Sequence, residues 1–178
     1  DGTSRQINMS KTAHLWKNPE AVLTSIRVEI NAPASLVWDI LLDMPSYPDW
    51  NPFCVECSSS LEMGAPVNMK LKSYTEADTF FDNCEYICEI VPQKQISWEL
   101  PDDESWPYPA RRDQFIEELG DNRCRYWSTD AFLGDNGIHV MRFAGPWVKL
   151  AFDDTAWALK AHAEALNKGG PSLKANCQ

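Results

Sequence analysis

Imidazole is scarce in this 178-residue chain, which holds only His14, His139 and His162, and no two basic residues stand together except Arg111-Arg112. No glycine-rich phosphate loop, no serine-histidine-aspartate order and no metal-binding triad of residues can be read along it, so nucleotide, triad-hydrolase and metalloenzyme chemistry have no motif to rest on. With 16 basic against 26 acidic residues the net charge is −10 and the sequence pI is near 4.7, which argues against a surface that tracks nucleic-acid phosphates. The same charge disfavours an acidic membrane surface while leaving a neutral apolar ligand free to bind. No run approaches the ~18 apolar residues of a membrane span. The first nine residues contain no apolar signal-peptide core.

What is abundant is large apolar side chain. Apolar residues make up 44% of the chain and eight residues are tryptophan. A domain of this length buries roughly 70% of its unfolded surface, enough for a core with a cavity inside it, and flat aromatic side chains often line such pockets. The six cysteines, at 54, 57, 84, 88, 124 and 177, form no staple that a core of this size requires. Cys84 and Cys88 fall at even spacing in a strand pattern and share a face, whereas Cys54 and Cys57 would point to opposite faces; both pairs read as buried thiols rather than zinc ligands.

Residues 1–18 read as a polar arm around a lone Trp16, with an Asn8-Met9-Ser10 sequon; 19–168 as one domain; and 169–178 as a tail. Within the domain, residues 21–30 alternate as a half-buried strand, Ser25 excepted, and Pro33 ends it. Apolar residues at helical spacing follow, with Ser35 available as N-cap, then a short turn of helix around residues 47–51 between prolines. Period-2 segments come next at 53–61, 66–75, 81–91, 95–100, 111–119 and 123–132, the last two flanking the hairpin signal Gly120-Asp121-Asn122. The proline-rich acidic stretch 101–110 reads as an exposed rim. After Gly145-Pro146 a long helix is expected over 147–167, with Trp147, Leu150, Ala151, Ala158 and Ala161 near one stripe and small residues leaving space beside it.

The stretch 31–53, "NAPASLVWDILLDMPSYPDWNPF", concentrates aromatics and prolines around the first helix. Together with Ile30 it resembles the SRPBCC or START-like superfamily, the helix-grip fold of birch-pollen-allergen type, and especially its polyketide cyclase/dehydrase-like branch. The residues that carry the likeness are Ile30, Ala32, Pro33, Val37, Trp38, Leu41, Asp43, Tyr47, Pro48, Trp50, Asn51, Pro52 and Phe53. Pro92, Ile96 and Trp98, the Gly145-Pro146 pair and the segment 158–166 agree in order. The resemblance implies an α+β fold: a curved antiparallel sheet of about seven strands around a long C-terminal helix, with two short helices after the first strand. It also implies a deep apolar cavity between sheet and helix that takes lipids, steroids or polyketides. On this fold Trp38, Trp50 and Phe53 are scaffold before they are site.

Function then turns on which polar side chains face the cavity. Arg111, Asp113, Phe115 and Glu117 share one face of their strand, and Cys124, Tyr126, Ser128, Asp130 and Phe132 share one of theirs. If Phe115 and Phe132 point inward, Asp113, Glu117, Tyr126 and Asp130 become acid-base candidates, with carboxyl pKa values raised by burial and Tyr126 able to hold an enolate. Trp98, Phe115, Ser128, Phe132, Trp147 and Leu150 would line the substrate. In the opposite register Arg112, Ile116, Arg125 and Trp127 lie inside and the acids face solvent. His162 is a weaker cavity candidate on the helix.

Two functions fit. One is a cofactor-independent cyclase or dehydratase, with no metal, acting on a hydrophobic polyketide-like or other natural-product intermediate; the polar strand positions favour it. The other is a carrier of a lipid, quinone or polyketide that does no chemistry. Either would be a cytoplasmic monomer or weak homodimer that neither binds nucleic acid nor inserts in a membrane. Reduced cysteines follow from the size of the core: thiol titration under denaturing, non-reducing conditions counts all six groups free, and a count of two or fewer overturns the reducing, cytoplasmic setting.

Overall fold

The computed structural model describes residues 10–169. The strand expected over 21–30 is two strands, β1 (Val22–Thr24) and β2 (Val28–Ile30), each pairing antiparallel with the last strand of the sheet. The break falls on Ser25, the one residue out of alternation. Its backbone N–H donates to the Ser128 carbonyl at 2.8 Å, and its Oγ accepts from Ser128 N at 2.9 Å. Helix α1 (Ala34–Leu42) starts from Pro33 without a side-chain cap, so Ser35 lies inside it, and a 3₁₀ segment (Met44–Asp49) follows.

Six more strands complete the sheet: β3 (Cys54–Ser58), β4 (Pro66–Lys72), β5 (Phe80–Val91), β6 (Gln95–Leu100), β7 (Ala110–Gly120) and β8 (Arg123–Phe132). All pairs are antiparallel and the order is β1-β8-β7-β6-β5-β4-β3, an eight-stranded curved sheet of helix-grip type. Between Cys54 and Glu56 the β3 register shifts, so Cys54 and Cys57 are both buried instead of lying on opposite faces. Among the described residues Cys54, Cys57, Cys84, Cys88 and Cys124 are free thiols; Cys177 lies outside them, as do residues 1–9, with most of the sequon, and the tail from 170.

Helix α2 (Gly137–Gly169) is the correction to the expected start after Gly145-Pro146: it begins ten residues before Trp147 and runs through Pro146. Pro146 stands on the exposed side, where the carbonyl it leaves without an N–H partner borders solvent. The face that α2 buries is Ala144, Val148, Ala151, Phe152, Thr155, Ala156, Leu159 and Ala163, at spacings of three and four. Leu150 and Ala161, placed on the buried stripe by sequence, are on the solvent side, Leu150 at 58% exposure. The helix is tied to the β1–β2 junction by Asp153, which accepts from Ile26 N at 2.6 Å.

The segment read as an arm is anchored from Ser10 onward. Glu99 on the outer face of β6 accepts from Ser10 Oγ, from Lys11 N at 2.6 Å and from Thr12 Oγ1 at 2.6 Å, and Trp16 Nε1 donates to Asp135 at 3.3 Å. Where β8 turns into α2, the chain passes so closely that a Cβ on Gly137 would run into the Phe132 carbonyl oxygen. Gly137→Ala is expected to cost ~1–3 kcal/mol, because backbone rather than a flexible side chain must move, and urea denaturation measures it. An unchanged midpoint would show that this junction yields freely.

Candidate functional site

Residues directly opposite on paired strands share a face, so the register fixes what points at α2. Trp98 lies opposite Arg112, and Arg112 opposite Asp130. One step toward the open end come Leu100, Ala110 and Phe132; one step deeper come Ile96, Gln114 and Ser128, then Ile116 and Tyr126. Between the first two rows and α2 is a cavity of about 590 Å³. Its apolar wall includes Phe53, Leu71, Trp98, Phe132, Trp147 and Phe152; its polar groups include Asn83, Glu85, Arg112 and Asp130; Trp106, Tyr108 and Phe143 stand at its mouth.

The register divides the expected site residues. Phe115 pairs with Trp127 whereas Phe132 pairs with Ala110, so Phe115 and Phe132 are on opposite faces and cannot both point inward. Asp113, Phe115 and Glu117 belong to the outer face. There Asp113 Oδ1 accepts from Ser97 Oγ at 2.5 Å and Arg111 Nε at 2.9 Å, and Glu117 pairs with Arg125 at 2.8 Å. Phe115 stacks on Trp127 at 5.3 Å, with the Arg27 guanidinium 4.5 Å from the Trp127 ring. Strand β7 therefore takes the register that puts Arg112 and Ile116 inside, while β8 puts Tyr126, Ser128, Asp130 and Phe132 inside with Arg125 and Trp127 out. Both faces of β7 carry apolar residues, so alternation alone does not choose between them.

Of the inward residues, Trp98, Asp130, Phe132 and Trp147 line the cavity. Tyr126 and Ser128 are buried behind it, the Tyr126 hydroxyl donating to Gln114 Oε1 at 2.8 Å. Leu150 faces away from the sheet, and His162 stacks on Trp50 at 6.0 Å, away from the lining. Arg112, weighed only as the opposite register, and Glu85 are cavity residues that the expected set omits. Glu85 was discoverable: it alternates with Phe81, Asn83 and Ile87 on the face of β5 opposite Cys84.

Electrostatically the site is a cation between two reluctant acids. Burial pushes the Glu85 carboxyl up to about 8, with the Asp130 charge adding to the rise and Arg112 opposing it. Burial likewise pushes Asp130 up to about 7 against the pull of Arg112. Near neutrality Glu85 is mainly protonated and Asp130 is divided between acid and base, the state that suits proton transfer. Arg112 is the cation of the site. Its guanidinium lies 4.0 Å from the Phe152 ring centroid and 5.7 Å from that of Trp98.

These carboxyls make stability pH-dependent. Each holds a proton in the folded state that the unfolded chain, with ordinary values of 4.5 and 3.8, has already released. Folding is therefore favoured at the acid end of that window and weakens as pH rises through the folded-state values. Urea unfolding at about pH 5 and about pH 8.5 should show this loss in the parent and a smaller one in Glu85→Gln and Asp130→Asn. An equal loss in the double variant would show that neither carboxyl is protonated in the fold.

The fold recurs in solved structures of low identity. The ZhuI aromatase/cyclase from Streptomyces sp. R1128 matches with a TM-score of 0.64 at 18% identity, over 84% of this chain and 97% of that one. A START superfamily protein from Mycobacterium smegmatis matches at 0.60 and 19%, over 82% and 98%. The di-domain aromatase/cyclase BexL of the BE-7585A biosynthetic pathway matches at 0.60 and 15%, over 86% of this chain and 52% of that one. No curated protein matches the chain in sequence. The model of the family described as polyketide cyclase/dehydrase and lipid transport matches residues 30–126, more than half of the chain and the span that carries β5 to β7 with most of the cavity's polar groups. The chain belongs to that family.

Proposed function

We propose that the protein is a cofactor-independent cyclase or dehydratase that folds a hydrophobic, poly-carbonyl intermediate of natural-product type inside the cavity between sheet and α2. The observation that carries this reading is the pairing of two carboxyls of raised pKa, Glu85 and Asp130, with a buried arginine in an otherwise apolar chamber. A carrier of neutral lipid has no use for three ionisable groups at its ligand, and burying them costs stability. Membership of the polyketide cyclase/dehydrase and lipid transport family, and the likeness to two aromatase/cyclases, support the same reading.

In this reading the aromatic walls hold the chain bent, which supplies proximity, and Arg112 fixes one oxygen of the ligand. Ionised Asp130 removes a proton from a methylene flanked by carbonyls. The resulting enolate carbon attacks a second carbonyl of the same chain, closing a ring; the new alkoxide takes a proton from Glu85. Glu85, now ionised, then removes a further ring proton while the hydroxyl leaves as water with the proton held by Asp130, which gives the dehydrated product and returns both carboxyls to their starting states.

A synthetic poly-β-ketone, offered both as the free acid and as a thioester and followed by mass spectrometry for cyclised product and for loss of water, tests this. Asp130→Asn is expected to lower turnover ~10²–10⁴-fold, the contribution of a positioned proton-transfer group, with Asp113→Asn and Glu117→Gln near parent values. If the parent binds the chain and leaves it unchanged, the protein is a carrier.

A further inference from the structure

Arg112 offers more hydrogen-bond donors than the protein around it accepts. It is 7% exposed, and its Nε and Nη2 atoms are inaccessible to solvent and have no partner within the protein. Trp98 Nε1, on the facing residue of the next strand, is buried and unpartnered as well. Among the described residues the ion pairs pass Arg112 by: Arg111, Arg123 and Arg125 all have carboxylates, and each of those pairs is on the outer face or at the surface. A permanently charged group is thus held in the cavity wall with Phe152 and Trp98 rings against it and no anion in contact.

The two free nitrogens are informative together. Nε–H and the Nη2–H beside it lie along one edge of the guanidinium plane, parallel and spaced to meet two oxygens of one planar group. Stacking on Phe152 covers a face of that plane, and the protein closes over the Nε–Nη2 edge, so a ligand in the cavity that Arg112 lines meets this edge as the guanidinium turns toward it. A neutral carbonyl would accept from one donor and leave the buried charge unbalanced; a carboxylate accepts from both and balances it. A phosphate is a poor match, since a single guanidinium and one indole N–H stand against an apolar wall.

We propose that the natural ligand ends in a free carboxylate, which sits on the Nε–Nη2 edge of Arg112 with Trp98 Nε1 as a third donor and the apolar remainder extending toward Phe132, Trp147 and the mouth. This rests on the reading of the cavity as the ligand site and narrows it: the substrate arrives as the acid, anchored by its end, so that Glu85 and Asp130 act on carbonyls a short way along the chain.

Calorimetric titration of the full chain near neutral pH with anthracene-2-carboxylate and with anthracene-2-carboxamide separates the charge from the apolar body. The acid is expected to bind at least about tenfold more tightly than the amide, the order of a charge-assisted hydrogen bond. Arg112→Met should erase that preference, weakening the acid at least about tenfold more than the amide, which loses only the single hydrogen bond of its carbonyl. Trp98→Phe, which removes the third donor and part of the apolar wall, should weaken both probes and reduce the acid-over-amide ratio partly, and it serves if Arg112→Met does not fold. Equal binding of acid and amide by the parent overturns the carboxylate anchor while the cavity remains a ligand site, and so does a preference undiminished in Arg112→Met. Binding of neither probe overturns both readings.

Discussion

One strand register sets the chemistry of this molecule: Arg112 of β7 lies opposite Asp130 of β8. A slip of one residue would turn Arg111, Asp113 and Phe115 toward α2 and send the guanidinium to solvent, since side chains alternate strictly along a strand. What pins the register is outside the cavity. Asp113 is held by Ser97 and Arg111, Arg111 also by Glu89, Phe115 by Trp127, and Glu117 by Arg125, so the outer face of β7 is occupied along most of its length. The convex face is a polar lattice whose function is to decide what the concave face presents.

Holding a charged arginine inside an apolar chamber is costly, and the fold lessens the penalty without removing it. Phe152 and Trp98 give the guanidinium ring faces to lie against, and cation–π contact is stronger when desolvated. Asp130 and Glu85 feel its charge, which holds their pKa values below what burial alone would give. Neither fully neutralises it. A site tuned for stability would pair the arginine or replace it with an apolar residue, so the residual charge is most economically understood as reserved for a ligand.

The architecture was largely legible because it is written in periodicity and in punctuation. Six of the eight strands coincide with period-2 runs bounded by Gly, Pro or polar turns, and the aromatic cluster at 31–53 identified the family before any coordinate. The errors have local causes. Pro146 was read as a helix breaker, yet an exposed proline costs one solvent-facing hydrogen bond and α2 absorbs it. Leu150 was read as core from hydrophobicity, but it falls outside the arc of Val148, Ala151, Phe152, Ala156, Leu159 and Ala163 that the helix turns to the sheet.

The site was legible by halves for a different reason. On β8 the inward face of Tyr126, Ser128, Asp130 and Phe132 is one of the two that alternation left open, Trp127 standing on the other; on β7 the face turned inward is the one set second, where Phe115 is as apolar as Ile116 and an arginine stands on each face. Pairing is information between strands, and a single strand's pattern does not contain it. Had the hairpin at Gly120-Asp121-Asn122 been closed in sequence with the bulge at Glu118, Phe115 would have fallen opposite Trp127 rather than beside Phe132. That one-residue bulge, invisible in composition, separates a chamber lined by Asp113 and Glu117 from one built around Arg112. The functional identity of the cavity is therefore set as much by an irregularity in a turn as by any residue that touches ligand.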